Sequence, residues 1–498
     1  MKMVWMGLMG LAAVTACGAD AMSEAYWKLW NPEVQARIDR DIEQNRKADG
    51  VFKVEGVPAG AEVKVEQLSH DFIFGAHIFN FDQLGKDEYN ARYKELFGTL
   101  FNSATIAFYW KKFELEEGKP RFKAERRDTA EYWNACKEDP KSEPHWRRPA
   151  TDPVVAFCES KGIRLHGHNL TWGNRKWQWP EWVTAKAPEC IRAMEPANKD
   201  GCDPKLRDEL YKKSPAEIEA LAPEYALKIN QLMADRILEI ALHYKNRFQS
   251  WDVVNESATD FGLGRMIPGD GVCKSHYGVM PGDYTYRSFM IADSVLPKAA
   301  KLNINDYQNG QAYVDQVKDL RARGCKIDIM GSQMHLFNPQ LCLDIAAGKP
   351  LETPDIVWKR METLAQTGLP LHLSEITITS PNNDERGQAI QAMIARNLYR
   401  LWFSVKPMMG ITWWNVVDDC GAPGEPSVSG LFTRDMQPKP SYHALNKLIN
   451  DEWKTRVTVT AGEGGAVAFR GFRGRYRLSW VDTAGNARQT EVRLGETK

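Results

Sequence analysis

The stretch Trp251-Asp252-Val253-Val254-Asn255-Glu256 is an apolar, β-branched run that ends in an amide and an acid. A buried parallel strand has this composition when chemistry lies at its carboxyl end. A second stretch has the same design, because the apolar run from Leu371 to Leu373 is followed by Ser374 and Glu375. Since the carboxyl ends of parallel strands meet on one face, we expect Glu256 and Glu375 to face each other there.

Eight short apolar runs of this kind recur along the chain, separated by stretches with the length and pattern of helices, such as 223–245 and 383–404. The runs are 72–77, 101–106, 163–168, 248–255, 301–305, 328–333, 370–375 and 410–414. Eight strand–helix repeats predict an α/β fold of the (β/α)8 TIM-barrel type. Polar or aromatic residues lie at the carboxyl ends of the runs or just after them, namely His77, His168, Asn255, Glu256, Asn305, Asp306, Gln333, His335, Glu375 and Trp414. Their recurrence at strand ends indicates a functional face.

The two ends of the chain carry short stretches in which apolar and polar residues alternate. A helix over 33–46 precedes residues 51–65, which predict a β-hairpin around a Pro/Gly turn, and four short strands are expected between 455 and 494. Because each fragment is too small alone, we predict one small β-module formed from N- and C-terminal segments. The predicted domains are an N-terminal helix and hairpin at 22–70, a catalytic barrel at 71–452 and the C-terminal part of the module at 453–498. A carbohydrate-binding appendage is the alternative to a structural cap, and we favour the cap because Phe469, Phe472, Tyr476 and Trp480 mostly alternate like core residues.

Composition excludes several classes of partner. Basic and acidic residues balance at 65 each, so neither nucleic acid nor an anionic membrane surface is indicated. The 17 tryptophans suit sugar-ring platforms, although most are expected to fill a large core. No two cysteines form a CxxC pair, so no zinc site is expected. We expect a monomer with no cofactor.

Residues 1–21 are typical of an export signal, with Lys2 before a short apolar run. Val14-Thr15-Ala16-Cys17 resembles a lipoprotein processing site and Ala19-Asp20-Ala21 an ordinary cleavage site. We favour lipidation of Cys17, which would attach the protein to a membrane, and in either case expect periplasmic, outer-membrane, cell-surface or secreted location. Export permits disulfides, with Cys190–Cys202 as the best pairing, whereas free buried thiols are the alternative for Cys158 and Cys325.

Two long insertions follow barrel strands, at 137–153 and at about 175–215, and the second carries Trp177, Trp179 and Trp182. Smaller Gly/Pro loops are expected at 268–281 and 420–429. All of these segments should lie on the face of the strand ends and partly wall it.

Two carboxyl groups suffice to cleave a glycoside: a protonated one donates to the leaving oxygen and an ionised one attacks the anomeric carbon. A retaining mechanism places them about 5–5.5 Å apart. Most glutamates are solvated surface charges. Glu256 and Glu375 differ because each ends an apolar strand.

Several stretches resemble motifs of the glycoside hydrolase family 10 xylanases, in the same order, over residues 71–450. Trp251-Asp252-Val253-Val254-Asn255-Glu256 matches the acid/base strand, and Ser374-Glu375-Ile376 resembles the nucleophile strand. The others are Leu165-His166-Gly167-His168-Asn169-Leu170-Thr171-Trp172, Ile304-Asn305-Asp306-Tyr307, Gly331-Ser332-Gln333-Met334-His335, Gly410-Ile411-Thr412-Trp413-Trp414, Gly430-Leu431-Phe432 and Pro438-Lys439-Pro440-Ser441-Tyr442.

The resemblance implies Glu256 as general acid/base and Glu375 as nucleophile. It implies that Asn255 holds the 2-hydroxyl of the attacked sugar and that His335 orients Glu375 and keeps it ionised. The remaining substrate-binding residues that it implies are His168, Trp172, Lys111, Gln333 and Trp414. Without the resemblance, the histidines and tryptophans would be interpreted as core residues.

The sequence also departs from the family pattern. A Glu-Asn pair that grips sugars on the non-reducing side is replaced by Ala107-Phe108, which leaves Lys111. An aspartate that supports the histidine and the nucleophile is replaced by Thr377, and Gly173-Asn174-Arg175-Lys176 stands where a His-x-Gln motif is usual. Loss of the Glu-Asn pair removes hydrogen bonds that would select sugar hydroxyls. Thr377 in place of the aspartate changes the support of the network that tunes Glu375.

Three hypotheses for the function follow. The first is a retaining endo-β-1,4-xylanase that cleaves plant polysaccharide outside the cytoplasm. The second keeps the mechanism but acts on another or decorated β-glycan or on an aryl β-glycoside. The third is a non-catalytic glycan-binding lipoprotein, against which the retention of both glutamates argues.

Overall fold

A computed structural model describes residues 20–136, 148–192, 222–262, 271–276 and 278–495, together with 212–214, 216, 217 and 220. The predicted export signal with Cys17, and Cys202 with its predicted pairing to Cys190, lie outside the described residues. Parts of the predicted insertions at 137–153 and 175–215, and of the loop at 268–281, lie outside them as well.

Eight parallel strands pair in chain order and form a closed barrel, which confirms the predicted (β/α)8 fold. The strands are, from first to eighth, Ile73–His77, Ser103–Ala107, Arg164–Trp172, Ser250–Asn255, Lys301–Asp306, Ile329–Leu336, Leu371–Ile378 and Met408–Trp413. Each overlaps one of the eight predicted runs. The third strand is longer than predicted and includes Trp172, whereas Trp414 lies just beyond the eighth strand.

Helices surround the barrel and connect its strands. The predicted helices at 223–245 and 383–404 are observed as Pro223–Tyr244 and Glu385–Ser404. Proline occupies the first turn of the former, and the Asp384 side chain caps the latter by accepting from the Gly387 N–H. The other longer α-helices that follow barrel strands are Asp87–Thr99, Thr151–Ser160, Tyr284–Val295, Gln311–Ala322, Pro339–Ala346, Pro354–Ala365 and Pro440–Lys447.

Short elements lie in the loops between the strands and the helices. The segment predicted as a Gly/Pro loop at 268–281 contains two antiparallel strands, Val272–Ser275 and Gly278–Pro281. The short helices are Trp110–Phe113, Ala130–Ala135, Glu181–Thr184, Glu189–Arg192 and Ala258–Gly262, with 3-10 turns at Arg126–Asp128 and Glu463–Gly465 and a π turn at Leu448–Glu452.

The face of the fourth strand that is turned towards the surrounding helices is tightly packed around Trp251, whose indole contacts Phe108 beside Tyr244 of the helix Pro223–Tyr244. The Trp251 ring lies against Gly167 of the neighbouring strand, where a Cβ atom would approach the indole to 2.1 Å. Glycine is therefore required at this position in the strand. Phe248 stacks on the same indole with ring centroids 4.3 Å apart. This packing fixes the fourth strand, and with it Asn255 and Glu256 at its carboxyl end.

The β-module is formed from both termini, as predicted. One sheet has the order Arg456–Thr460, Glu62–His70, Gly474–Val481 and Ala487–Leu494, all antiparallel. A second sheet pairs Lys47–Lys53 with Ala466–Phe472.

The predicted hairpin at 51–65 is wrong, because the two strands Lys47–Lys53 and Glu62–His70 belong to different sheets. The strand Glu62–His70 pairs with a C-terminal strand on each of its two edges. Its residues Val63 and Val65 are buried in the module core. Val54, in the connection between the strands, is buried in the same core, so the connection is not a surface turn. Long-range burial outweighs the local turn signal.

The module covers the amino-terminal ends of the barrel strands, opposite the face predicted to be functional. Phe403 stacks on Trp453 with centroids 4.1 Å apart and contacts Phe472 of the module. Arg164, at the start of the third strand, donates to the carbonyls of His70 and Asp71. The aromatic residues considered for sugar binding are all buried, at no more than 8% exposure, namely Phe469, Phe472, Tyr476 and Trp480. Their burial supports the structural cap.

An N-terminal helix, Pro32–Arg46, packs against the outside of the barrel on Glu385–Ser404, and a shorter one, Glu24–Leu29, precedes it. The guanidinium of Arg46 donates to the carbonyls of Phe403, Val405 and Met408, which lie at the end of the long helix and after it. These contacts satisfy carbonyl groups that a helix end leaves without intrahelical partners.

In the described part of the chain, five cysteines are thiols and not members of a disulfide: Cys136, Cys158, Cys325, Cys342 and Cys420. Cys158 and Cys325 are buried thiols, as in the alternative considered above. Over the described ranges, no helix combines the length and apolarity needed to cross a membrane.

Candidate active site

A cleft of about 1280 Å³ opens at the carboxyl ends of the barrel strands. All of the predicted site residues line it, namely Lys111, His168, Trp172, Asn255, Glu256, Gln333, His335, Glu375 and Trp414. The structure therefore brings together residues from the ends of the second, third, fourth, sixth, seventh and eighth strands. This is the face on which barrel enzymes carry their active sites.

Both glutamates belong to one hydrogen-bond network of side-chain amides. Asn305 Nδ2 donates to Asn255 Oδ1 at 3.0 Å and to Glu375 Oε1 at 2.7 Å. Gln333 Nε2 lies 3.2 Å both from Asn255 Oδ1 and from Glu256 Oε1. The amides thus connect the two carboxyl groups and hold them at the centre of the cleft.

The backbone turns sharply at Glu256. This residue has φ 54°, in the left-handed region that residues with a side chain rarely adopt. Its N–H donates to the Asn305 carbonyl at 2.8 Å, which holds the turn in place. Strained backbone of this kind clusters at functional sites.

Burial raises the pKa of Glu375 to about 7. Interaction with His168 and the hydrogen bond from Asn305 lower this pKa, whereas the charges of Asp252 and Glu425 raise it. Burial lowers the pKa of His335 to about 4, so His335 does not offer Glu375 a positive charge at neutral pH. The imidazole is neutral at neutral pH and lies with Nε2 3.4 Å from Glu375 Oε2. The histidine that favours the ionised form of Glu375 is His168.

His168 is oriented by Asp252, a residue whose role the sequence analysis missed. Asp252 Oδ2 lies 2.8 Å from His168 Nδ1 and 2.9 Å from His166 Nε2, and His168 Nε2 lies 3.7 Å from Glu375 Oε1. Burial alone would raise the pKa of Asp252, but the two histidines hold it below its usual range. An acid within an otherwise apolar strand was the signal that could have revealed this residue.

Thr377 provides the partner of His335 where the family pattern has an aspartate. Its Oγ1 lies 2.9 Å from His335 Nδ1, and Phe337 stacks on the imidazole with centroids 4.4 Å apart. A hydroxyl bears no charge, so it orients the ring without favouring its protonation. The neutral His335 is consistent with this substitution.

Phe108 does not face the cleft. Its ring is fully buried and contacts Phe248 and Trp251, while its carbonyl accepts from Arg236. Ala107 is also buried, in a small cluster with Phe79 and Trp414.

The residues that line the cleft at this place are Tyr109 and Arg148, which the sequence analysis missed. The Arg148 guanidinium lies 4.1 Å from the centre of the Phe79 ring and 5.7 Å from that of Tyr109. The cleft lining next to Ala107-Phe108 thus includes an aromatic and a cationic group.

The predicted walls are partly confirmed. Of the three tryptophans after the third strand, only Trp177 lines the cleft, and Trp179 is buried with its Nε1 donating to the Trp172 carbonyl at 2.9 Å. Trp182 likewise donates to the carbonyl of Glu114. Residues 422–425 of the loop at 420–429 also line the cleft.

In the part of the chain that the structure describes, no group of three or more His, Cys, Asp or Glu side chains is placed to hold a metal ion. Carboxyl, amide, imidazole and aromatic groups make up the site. A barrel that presents two glutamates in this way has the architecture of a two-carboxylate glycoside hydrolase.

Comparison with known proteins agrees with this class. Residues 70–448 match the model of glycosyl hydrolase family 10, and the chain therefore belongs to that family. It is 25% identical over 362 residues to the exoglucanase XynX of Acetivibrio thermocellus, a match that covers 70% of this chain and 29% of the relative. It is 25% identical to endo-1,4-beta-xylanase A of Thermoanaerobacterium saccharolyticum, covering 59% of this chain and 22% of that protein. These two matches span less than a third of the relatives' own length.

Among solved structures, native xylanase 10B from Thermotoga maritima superposes with a TM-score of 0.51 at 20% identity. The superposition covers 77% of this chain and 96% of that one. At this identity the likeness supports the barrel fold alone.

Proposed function

We propose that this protein is a retaining glycoside hydrolase that cleaves internal β-1,4-xylosidic bonds of xylan-type polysaccharide. The observation that carries the proposal is the amide network that joins Glu256 and Glu375 at the carboxyl face of the barrel. Named relatives support the substrate class, because several are endo-1,4-beta-xylanases. A xylanase 10B structure from Thermotoga petrophila, with a TM-score of 0.50, is described as a complex with xylobiose.

In the proposed mechanism, Glu375 attacks the anomeric carbon while Glu256 gives its proton to the leaving glycosidic oxygen. The bond from the anomeric carbon to the leaving oxygen breaks as the bond to Glu375 forms. Glu256 then takes a proton from a water molecule, which attacks the same carbon and releases Glu375. Two inversions give net retention of configuration.

Asn255 and Trp414 are placed to bind the sugar that is attacked. Asn255 lies between the two acids and has its Nδ2 available for the 2-hydroxyl of the attacked sugar, since its Oδ1 accepts from Asn305 and Gln333. Trp414, at the end of the eighth strand, offers a ring on which that sugar can pack. Its Nε1 donates to Glu425 at 3.3 Å, which fixes the plane of the indole.

A second candidate keeps this mechanism but acts on a different or decorated β-glycan or on an aryl β-glycoside. The observations that favour it are the replacement of the family Glu-Asn pair by Ala107-Phe108 and the presence of Tyr109 and Arg148 in the cleft lining. Export, with Cys17 as the lipidation site, remains part of the proposal, and mass spectrometry of the mature N-terminus tests it.

The experiment measures product release from xylan, β-glucan and aryl β-glycosides, with the anomeric configuration of the first product followed by NMR. We expect retention and release of xylo-oligosaccharides from xylan. Cleavage of β-glucan or aryl glycosides with inert xylan would favour the second candidate. Binding without turnover by the wild type would leave the non-catalytic glycan-binding function.

A further inference from the structure

Ser374, the residue directly before Glu375, is buried and is not one of the described residues that line the cleft. Its hydroxyl donates to Asn305 Oδ1 at 2.5 Å and lies 3.2 Å from the carbonyl oxygen of Ser332. Asn305 is the residue whose side-chain nitrogen donates to Glu375 and to Asn255. Ser374 therefore contacts the amide network of the site from behind, where no substrate reaches it.

An irregularity of the seventh strand directs two consecutive side chains at Asn305. In a regular strand, successive side chains point to opposite faces. The pairing with the sixth strand runs up to Leu373 and resumes at Glu375, so that Ser374 is an extra residue in the seventh strand. A bulge of this kind re-aims a side chain. Ser374 and Glu375 consequently both reach the Asn305 amide, the first at its oxygen and the second at its nitrogen.

The bonds to the Asn305 amide determine which way it faces. Its two N–H groups go to Glu375 Oε1 at 2.7 Å and to Asn255 Oδ1 at 3.0 Å, and its oxygen accepts from Ser374. A reversed amide would turn its oxygen towards the first two of these, which are both acceptors. Gly331 pairs with Asn305 on the neighbouring strand, and a Cβ atom there would approach the amide oxygen to 2.7 Å. The surroundings thus both hold this oxygen and leave room for it.

We infer that Ser374 is a positioning residue, whose hydroxyl holds the Asn305 amide with Nδ2 directed at the carboxylate of Glu375. The inference rests on the proposed function, in which Glu375 must be ionised to attack the anomeric carbon. Without the hydroxyl, the buried oxygen of Asn305 loses the donor that it has in the structure, which is costly. The amide also loses one of the three bonds that fix it, so its hydrogen bond to the charged form of Glu375 should weaken.

The consequence should be seen in the ionisation of Glu375. Burial raises its pKa to about 7, and interaction with His168 and the hydrogen bond from Asn305 oppose that rise. Ser374→Ala should therefore raise the pKa of Glu375 further, by about 1 pH unit, which is part of the effect of one charge-assisted hydrogen bond. The variant leaves in place the charged and titratable groups that surround Glu375 on other elements, namely Tyr109, His168, Asp252, Glu256, His335 and Glu425.

The test follows kcat/KM from about pH 5 to about pH 9 on an aryl β-glycoside with an activated leaving group, which does not need the proton of the general acid. On the acid side, Ser374→Ala should be about tenfold slower than the wild type, and the two should converge at alkaline pH, where Glu375 is ionised in both. A general loss of structure would lower kcat/KM at every pH. Ser374→Thr keeps a hydroxyl and should restore the acid limb of the wild type.

Ser332→Ala is the matched control, because it makes the same change at a buried serine of the sixth strand. Its hydroxyl donates to Asn309 Oδ1 at 2.7 Å and not to the Asn305 amide, so the acid limb should stay in place. The Ser374→Ala/Asn305→Ala double variant tests the route. Since Ser374 acts through Asn305, the double variant should have the acid limb of Asn305→Ala alone, and two shifts that add would overturn the inference.

Thermal unfolding of each variant shows whether it is folded. Ser374→Cys, whose thiol is a weaker donor, should give a smaller shift of the acid limb and serves in place of Ser374→Ala if alanine is not tolerated. An acid limb that stays unchanged on loss of the hydroxyl, or that Ser332→Ala moves as far, would overturn the inference while leaving the hydrolase function intact.

A measurement without substrate separates this inference from the proposed function. Carbon NMR of labelled glutamate carboxyl groups follows the pKa of Glu375, and the signal is assigned by its loss in Glu375→Gln. If the wild type turns over no glycoside, the proposed function fails, but a pKa that is higher in Ser374→Ala still supports the positioning role. The same pKa in the wild type and in Ser374→Ala would reject that role.

Discussion

The centre of the cleft and its wall at Tyr109 and Arg148 are stabilised in different ways. At the centre, Glu256 and Glu375 are joined through the amides of Asn255, Asn305 and Gln333. At the wall, Arg148 rests on aromatic rings and is anchored through its backbone carbonyl. Under the proposed function, the first arrangement positions the two carboxyl groups that react, whereas the second presents charge and ring surface to the sugar beside them.

This difference separates bond cleavage from substrate choice. A cleavage network tolerates little change, because each buried amide satisfies another polar group and its loss leaves a carboxyl group without a partner. Wall residues come from loops outside that network, so we expect their replacement to change which glycan fits without disturbing the two acids. The family motifs recur at the centre except at Thr377, whereas the segment before Tyr109 departs from the family pattern at Ala107-Phe108.

The largest effect is expected from Glu375→Gln, which removes the nucleophile and should lower kcat on the order of 10⁴-fold or more. Turnover of an aryl β-glycoside measures it. Lys318→Gln serves as the control for protein handling, because this exposed lysine of the helix Gln311–Ala322 is not among the residues that line the cleft. Activity within tenfold of the wild type would contradict the assignment of the centre.

Glu256→Ala should lower kcat by about 10²- to 10⁴-fold on substrates with a poor leaving group, which need the proton. The loss should be smaller for an activated aryl leaving group, and added azide should restore turnover as a β-glycosyl azide. Kinetics on xylan and on a nitrophenyl glycoside, side by side, provide the measurement. Equal losses on both substrates would argue against a role as general acid.

The pH profile should report the ionisation of Glu375. Because the nucleophile must be charged, kcat/KM should fall as the pH drops through about 7, the pKa that burial sets in the free cleft. Asn305→Ala removes a hydrogen bond to the charged form, so the acid limb should move to higher pH. The Asn305→Asp change also adds a negative charge next to Glu375, so the acid limb should move to still higher pH. An acid limb that moved to lower pH in Asn305→Ala would contradict this account.

The burial of Glu375 should also make the free energy of unfolding depend on pH. A carboxyl group whose folded pKa lies above its unfolded value destabilises the fold once it ionises, so the cost is absent below about pH 4 and complete above about pH 7. Glu375→Gln should therefore be more stable than the wild type at pH 8, by on the order of 3 kcal/mol, and equal to it near pH 4. Denaturant unfolding at both pH values tests the sign. A difference independent of pH would show that Glu375 is not the titrating group.

Phe108→Ala and Tyr109→Ala change two adjacent residues, of which the first packs in the core and the second lines the cleft. Phe108→Ala should lower the free energy of unfolding by about 3–5 kcal/mol, because its buried ring packs against Phe248 and Trp251. Tyr109→Ala should cost less stability, since its ring is only half-buried, and should change the relative rates on different glycans. Thermal unfolding and the substrate panel, applied to both variants, give the comparison. The opposite pattern would place Phe108 in the wall.

Local sequence pattern was sufficient for most of the architecture. Each barrel strand was visible as an apolar run, and the closing residues of those runs, such as Glu256 and Glu375, converge because parallel strands end on one face. The order of motifs located the nine predicted cleft residues in the same way. These inferences depend on periodicity over a few residues and on one geometric rule.

Other features were decided by tertiary structure alone. The pairing of Glu62–His70 with C-terminal strands, instead of a local hairpin, depends on which distant apolar faces become buried together. The histidine that lowers the pKa of Glu375 is His168 because Asp252, a neighbour across the barrel sheet, orients it. Arg148 and Tyr109 reach the cleft while Phe108 turns into the core. The position of strands and the alternation of apolar and polar residues depend on a few neighbouring residues in the sequence. Burial, charge interactions and side-chain direction depend instead on residues that are brought together only in the folded protein.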